Sequence, residues 1–231
     1  MMSSMTDPTS AAVLSVTARV PFGTRDALKA LKPLYKAEQR RARQLALMEP
    51  WDARGLPGRE AVERRAAWYA HRAELREDGQ LLDTLDAVVM LEVRAELRGR
   101  GWDRPWPALP AEALVPGRWP GSRDGGYPEK IPVRLPAELA ARVRAACWHT
   151  SAEAIGQLRD WRDRYPDALP TRAFRDDHED QALAEYEALA AIVTTTGAVW
   201  RAAIGRLVEA IPSLLQRTAE DSESADAAAV G

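Results

Sequence analysis

Residues 130–165 read KIPVRLPAELAARVRAACWHTSAEAIGQLRDWRDRY, and the fold turns on them. In Lys130–Leu135, the apolar Ile131, Val133 and Leu135 alternate with Lys130, Pro132 and Arg134. A period of two sends the first set inward and the second to solvent, the pattern of a half-buried strand. Pro136 ends the strand and suits the first turn of a helix. The spacing of Leu139, Val143 and Ala146 predicts that helix over 136–148. Thr150-Ser151-Ala152-Glu153 has the form of a capping box, in which the Thr150 hydroxyl accepts an orphan N–H and Glu153 reaches back. A second helix is therefore expected from Thr150, burying Ile155, Leu158 and Trp161 until Pro166 stops it.

Strand, helix and helix in that order, with K-x-P-x-R-L-P at the strand and T-S-A-E-A-I-x-x-L at the second helix, resembles the ribbon-helix-helix (Arc/MetJ-type) family of DNA-binding modules. The resemblance covers residues 130–165 only. It implies that two strands pair antiparallel in the major groove, that the exposed strand face reads base edges, and that the start of the second helix holds a phosphate. Carried over by position, Lys130, Pro132 and Arg134 face the bases. Thr150 and Ser151 lie at the phosphate, where backbone N–H groups and the helix dipole favour an anion. Pro132 lacks an N–H and reads no base by hydrogen bonding. It fits only if pairing uses the other edge, through Ile131, Val133 and Leu135. The inter-helix turn carries Trp148 and His149 in place of the usual Gly. The plainer reading of the stretch is a strand-helix-helix corner of a helical domain.

A second strand pattern lies far upstream. Leu14, Val16, Ala18 and Val20 alternate with Ser15, Thr17 and Arg19, and Pro21 and Gly23 bound the run. It closes Arg19-Val20-Pro21, as the later strand closes Arg134-Leu135-Pro136. The matched endings suggest that the two strands, near 13–20 and 130–135, pair with each other, placing both halves of a pseudo-dimeric ribbon in one chain. Thr17 and Arg19 then join Lys130 and Arg134 on the base-reading face. If the strands do not pair, the ribbon needs a strand from a second copy, and a homodimer is the expected assembly.

Thr24–Met48 reads as helix with a break at Pro33, and Thr24 can cap it. Leu28, Leu31, Tyr35, Ala42 and Leu45 form one side. Lys29, Lys32, Lys36, Arg40 and Arg43 follow at intervals of 3, 4, 4 and 3, a basic stripe suited to phosphates. A solvated helix face explains the same spacing without DNA. Arg59–Glu77 is expected to bury Val62, Ala66, Tyr69 and Ala73. Gln80–Arg98, capped by Asp78 and closed by Gly99, pairs with it as a hairpin. Residues 99–129 hold six Gly, six Pro and the tryptophans 102, 106 and 119, so an ordered loop that docks its indoles on the helices is expected. Residues 167–216 read as a C-terminal helical hairpin over Glu179–Val193 and Ala198–Ile211. Met1–Ser10 and the acidic tail 217–231 are expected to be disordered, the tail screening the basic stripe.

A formal charge of −2 excludes a uniformly basic nucleic-acid binder, so any DNA face is a local patch. Cys147 is the only cysteine, which leaves no disulfide framework and no thiolate zinc site, and suits the cytoplasm. No stretch has the length and apolarity of a membrane span, and no signal peptide is expected. Phosphate-loop, dinucleotide, H-E-x-x-H and nucleophile-elbow motifs are absent. The acidic run Asp176–Asp180 matches a helix N-terminus better than a metal site. The expectation is a mainly α fold with a small antiparallel β ribbon and a non-enzymatic DNA-binding function, as a transcriptional regulator or a plasmid or phage accessory factor. No metal or cofactor is implied. The rival reading is a helical interaction or structural protein with no nucleic-acid role.

Overall fold

The two alternating segments form the only pair of strands among the described residues of the computed structural model, which describes residues 12–114, 119, 126–166 and 177–230, without the side chains of 177–179 and 217–230. β1 (Val13–Val20) runs antiparallel to β2 (Glu129–Pro136). The register sets Ser15 opposite Arg134, Thr17 opposite Pro132, Ala18 opposite Ile131 and Arg19 opposite Lys130. The expected intrachain ribbon therefore forms across a separation of more than a hundred residues. Its inner face is apolar: Ala18, Val20, Ile131, Val133 and Leu135 are all buried.

The mainly α fold expected from the sequence is the one observed. α1 (Thr24–Lys29) and α2 (Lys32–Leu45) follow β1, and α3 (Gly58–Glu77) and α4 (Leu85–Gly99) come next. A short α5 (Ala111–Leu114) precedes β2, and α6 (Ala137–Arg164), α7 (Asp177–Ile192) and α8 (Thr196–Val230) complete the chain. One core joins the inner ribbon face to Leu28, Leu31 and Leu34, to Val88, Val89, Val93 and Leu97 of α4, to the start of α6, and to Val199, Ala203, Ile204 and Leu207 of α8. β1 lies on α8 and β2 on α4. A second cluster gathers Trp148, Ile155 and Leu158 of α6 with Ala113 and Val193.

Several expectations are corrected. The two helices of the 130–165 stretch are one helix of 28 residues. The predicted turn at Trp148–His149 holds neither Gly nor Pro, and Cys147, Ser151 and Ala154 are buried, so the inward face continues from Leu139 to Trp161 without a gap. Thr150 is consequently mid-helix and caps nothing. Its hydroxyl donates to the Ala146 carbonyl at 2.8 Å, satisfied by the preceding turn. Residues 24–48 form two helices that part at Ala30–Leu31, and Pro33 lies in the first turn of α2, where its missing N–H is harmless.

α4 starts at Leu85, not Gln80. Thr84 caps it by accepting the Ala87 N–H at 3.2 Å, and Asp78 ends α3 instead. α3 buries Ala61 and Trp68, whereas Val62 and Tyr69, expected inside, are 59% and 62% exposed. α8 continues past Pro212 to Val230 through the stretch expected to be a disordered tail. The Met1–Ser10 expectation lies outside the described residues, as do Asp176 and the side chains of Asp177–Glu179. The indoles do dock: Trp102 and Trp119 pack on the core, and Trp106 stacks on His149 with ring centroids 5.9 Å apart. Among the described residues no single helix is long and apolar enough to cross a membrane.

Candidate nucleic-acid interface

With the odd-numbered residues of β2 committed to the core, the even-numbered ones project outward. Lys130, Pro132 and Arg134 are exposed, and so are Ser15 and Thr17 across the ladder, with Arg19 half-buried beside them. The four residues expected to read bases, Lys130, Arg134, Thr17 and Arg19, thus share one solvent face of one ribbon. Lys130 and Arg134 stand four residues apart, about 13 Å along the strand. That distance matches about four base-pair steps. A two-stranded ribbon has the width that the major groove admits.

The charge on this face is unbalanced. Arg19 and Lys130 are direct cross-strand partners, an arrangement of like charges that weakens a ribbon. Among the described residues no carboxylate forms an ion pair with Arg19, Lys130 or Arg134. Acidic groups are nearby but are spent on the backbone. Glu129 accepts the Gly23 N–H at 2.9 Å and the Arg25 N–H at 2.8 Å, and so caps α1 in place of Thr24. These two backbone N–H groups hold its carboxyl below the usual glutamate range. Asp86, in the first turn of α4, accepts the Arg134 N–H at 3.0 Å. Arg25 donates to the Lys130 carbonyl at 2.9 Å.

These last two contacts put the even-numbered backbone groups of β2 on the edge away from β1. Pro132 therefore has no ladder bond to lose, which is the condition its tolerance required. The same contacts cover the outer edge of the ribbon with α1 and α4 and block further strand pairing there.

The basic stripe is only partly as expected. Lys29 belongs to α1 and is paired with Asp26 at 2.6 Å. Lys32, Lys36, Arg40 and Arg43 share one exposed face of α2, and none has an ion pair among the described residues. α2 packs on α8. Its Tyr35 packs on the core and is pushed up to about 12 by burial and by the charge of Asp86, the residue that holds Arg134.

The expected phosphate site does not assemble. Ser151 is 1% exposed, and its hydroxyl accepts the Thr194 N–H at 2.9 Å and donates to the Thr194 carbonyl. Neither Thr150 nor Ser151 stands at a helix N-terminus, so no set of free N–H groups meets an anion there. Sequence reasoning also overlooked Glu129 and Arg25 as the groups that fix the end of the ribbon. The signal available was their position, Glu129 just before the Lys130–Leu135 run begins and Arg25 five residues after Val20 ends the first run. Burial pushes the Cys147 thiol up to about 12, so it stays protonated. No group of three or more His, Cys, Asp or Glu residues is arranged to hold a metal among the described residues.

No family model, curated protein or solved structure matches this chain.

Proposed function

We propose that the chain is a non-enzymatic DNA-binding protein that lays the solvent face of its β ribbon in the major groove. One observation carries this reading: three cations, on Arg19, Lys130 and Arg134, crowd one ribbon face with no carboxylate among the described residues paired to them. A ribbon selected only for stability would not set Arg19 opposite Lys130. A duplex supplies the missing anions, and Arg134 and Lys130 have the donor geometry for guanine, each good contact discriminating by about 1–3 kcal/mol. Lys32, Lys36, Arg40 and Arg43 act on the phosphate backbone without sequence preference. Both strands come from one polypeptide, so a single chain carries a complete reading head. The biological setting that fits is a transcriptional regulator or a plasmid or phage accessory factor.

The test is selection of binding sites from a randomised duplex library by the purified chain. Enrichment of a short motif that the Arg134→Ala variant fails to enrich supports ribbon readout. Retention of duplexes with no motif, equally by both proteins, refutes it.

A further inference from the structure

The register of the ribbon contains an approximate two-fold axis. It passes through the Thr17–Pro132 pair, perpendicular to the ladder. The inner face obeys it, since Val16, Ala18 and Val20 fall onto Ile131, Val133 and Leu135. The strand ends obey it as well. Arg19-Val20-Pro21 falls onto Arg134-Leu135-Pro136, and a helix follows each, α1 after one and α6 after the other.

The outer face obeys the axis only in part. Arg19 and Arg134 are equivalents. Lys130, the cross-strand partner of Arg19, has Ser15 as its equivalent, and Ser15 is the partner of Arg134. Ser15, Lys130 and Arg134 are exposed, and Arg19 is half-buried. One end of the face therefore presents two cations, and the other presents one cation and a hydroxyl. The two ends lie four residues apart, about 13 Å along the strands.

A two-fold symmetric reader is matched by a palindromic site, which it binds equally well in either direction. We propose that the broken symmetry of this ribbon gives the chain a direction on DNA, so that its site is not a palindrome. This direction rests on major-groove readout by the ribbon and adds to it which bases are demanded. Arg19 and Arg134, related by the axis, meet guanines on opposite strands about four base-pair steps apart. Beside the Arg19 guanine, Lys130 requires a second one. Beside the Arg134 guanine, the Ser15 hydroxyl donates or accepts and tolerates several bases. Laid on the site backwards, Lys130 loses its guanine and Ser15 meets it instead. The loss of one such contact favours the forward orientation by about five- to 150-fold.

A cleavage probe tethered at one end of the ribbon reads the direction. Phe22 is 87% exposed and lies three residues beyond Arg19. Cys147 is fully buried, so Phe22→Cys supplies the one reactive thiol, for an iron chelate that cuts nearby DNA. The substrate is the duplex that the chain enriches from a randomised library. On it the labelled chain is expected to cut one flank of the motif at least about fivefold more than the other. The exchange Ser15→Lys/Lys130→Ser, in the same labelled background, changes two exposed positions and should leave helical circular dichroism unchanged. It is expected to cut the opposite flank. Equal cutting of both flanks, or a palindromic motif, overturns the direction while leaving duplex readout standing. Cutting that stays on the original flank after the exchange overturns the assignment to Ser15 and Lys130. Failure to enrich any duplex overturns the ribbon readout itself, and the direction with it.

Discussion

Asp83→Ala is the perturbation whose cost the structure sets most narrowly. The Asp83 side chain is fully buried in the turn between α3 and α4. Arg76 Nε donates to Oδ1 at 2.7 Å and Arg76 Nη2 to Oδ2 at 3.0 Å; Arg72 Nε donates to Oδ2 at 3.0 Å, and Arg72 Nη2 donates to the same oxygen. Burial alone raises a carboxyl, but the hydrogen bonds from Arg76 and Arg72 outweigh it and hold Asp83 below its ordinary value. Removing one partner of a wholly buried ion pair costs about 3–5 kcal/mol. Here the arginines are 26% and 31% exposed and rehydrate in part, so about 2–3 kcal/mol is expected. A urea m-value near about 3 kcal/mol/M, the upper part of the usual range, turns this into a midpoint shift of about 0.8 M. The control is Glu63→Ala. Its pair with Arg59 is 93% and 63% exposed, and losing it should move the midpoint by less than about 0.2 M. Urea titrations followed by far-ultraviolet circular dichroism read both variants. Equal, small shifts would refute the claim that Asp83 is what ties α3 to the rest of the fold.

Ser151→Val leaves the half-buried Thr194 N–H without its acceptor and should destabilise the chain by about 1 kcal/mol, measured by the same titrations. Glu129 has a lowered folded value, so its stabilisation is complete above the ordinary glutamate range and is lost as pH falls through that lowered value. Amide exchange at Gly23 and Arg25 should therefore be slow, for intrinsic rate, at neutral pH and lose protection in acid, while Glu129→Gln removes the pH dependence. Replacing Lys32, Lys36, Arg40 and Arg43 by Gln should flatten the salt dependence of duplex binding by up to about 3.6 in the log–log slope, at about 0.9 per phosphate contact. An unchanged slope would remove α2 from the interface.

What could be read in the chain, and what could not, follows the range of the interactions involved. Alternation at Ile131–Leu135 and Leu14–Val20 is local, and it specified both strands and their solvent faces. Their pairing was legible because the two runs end alike. The helix break at Trp148–His149 was misread because a capping box is also an ordinary helical tetrapeptide, and tertiary burial of Cys147, Ser151 and Ala154 decided between them. The face of α3 was misread for a related reason. Its sequence has two apolar faces, and only contacts with Trp51 and the Asp83 turn select the Trp68 face for the interior. The roles of Glu129 and Asp86 lie in contacts 104 and 48 residues distant, which no local pattern reports.

Duplex binding by the Lys130→Ala/Arg134→Ala variant, titrated across a salt series beside the wild type, addresses the ribbon directly. Both side chains are exposed and leave the core untouched, so the fold should persist. Ribbon readout predicts that the wild type binds its selected site more tightly than random duplex and that the variant loses that preference, with residual salt-dependent binding carried by α2. A variant that keeps full preference, or a wild type that binds no duplex at low salt, would contradict it.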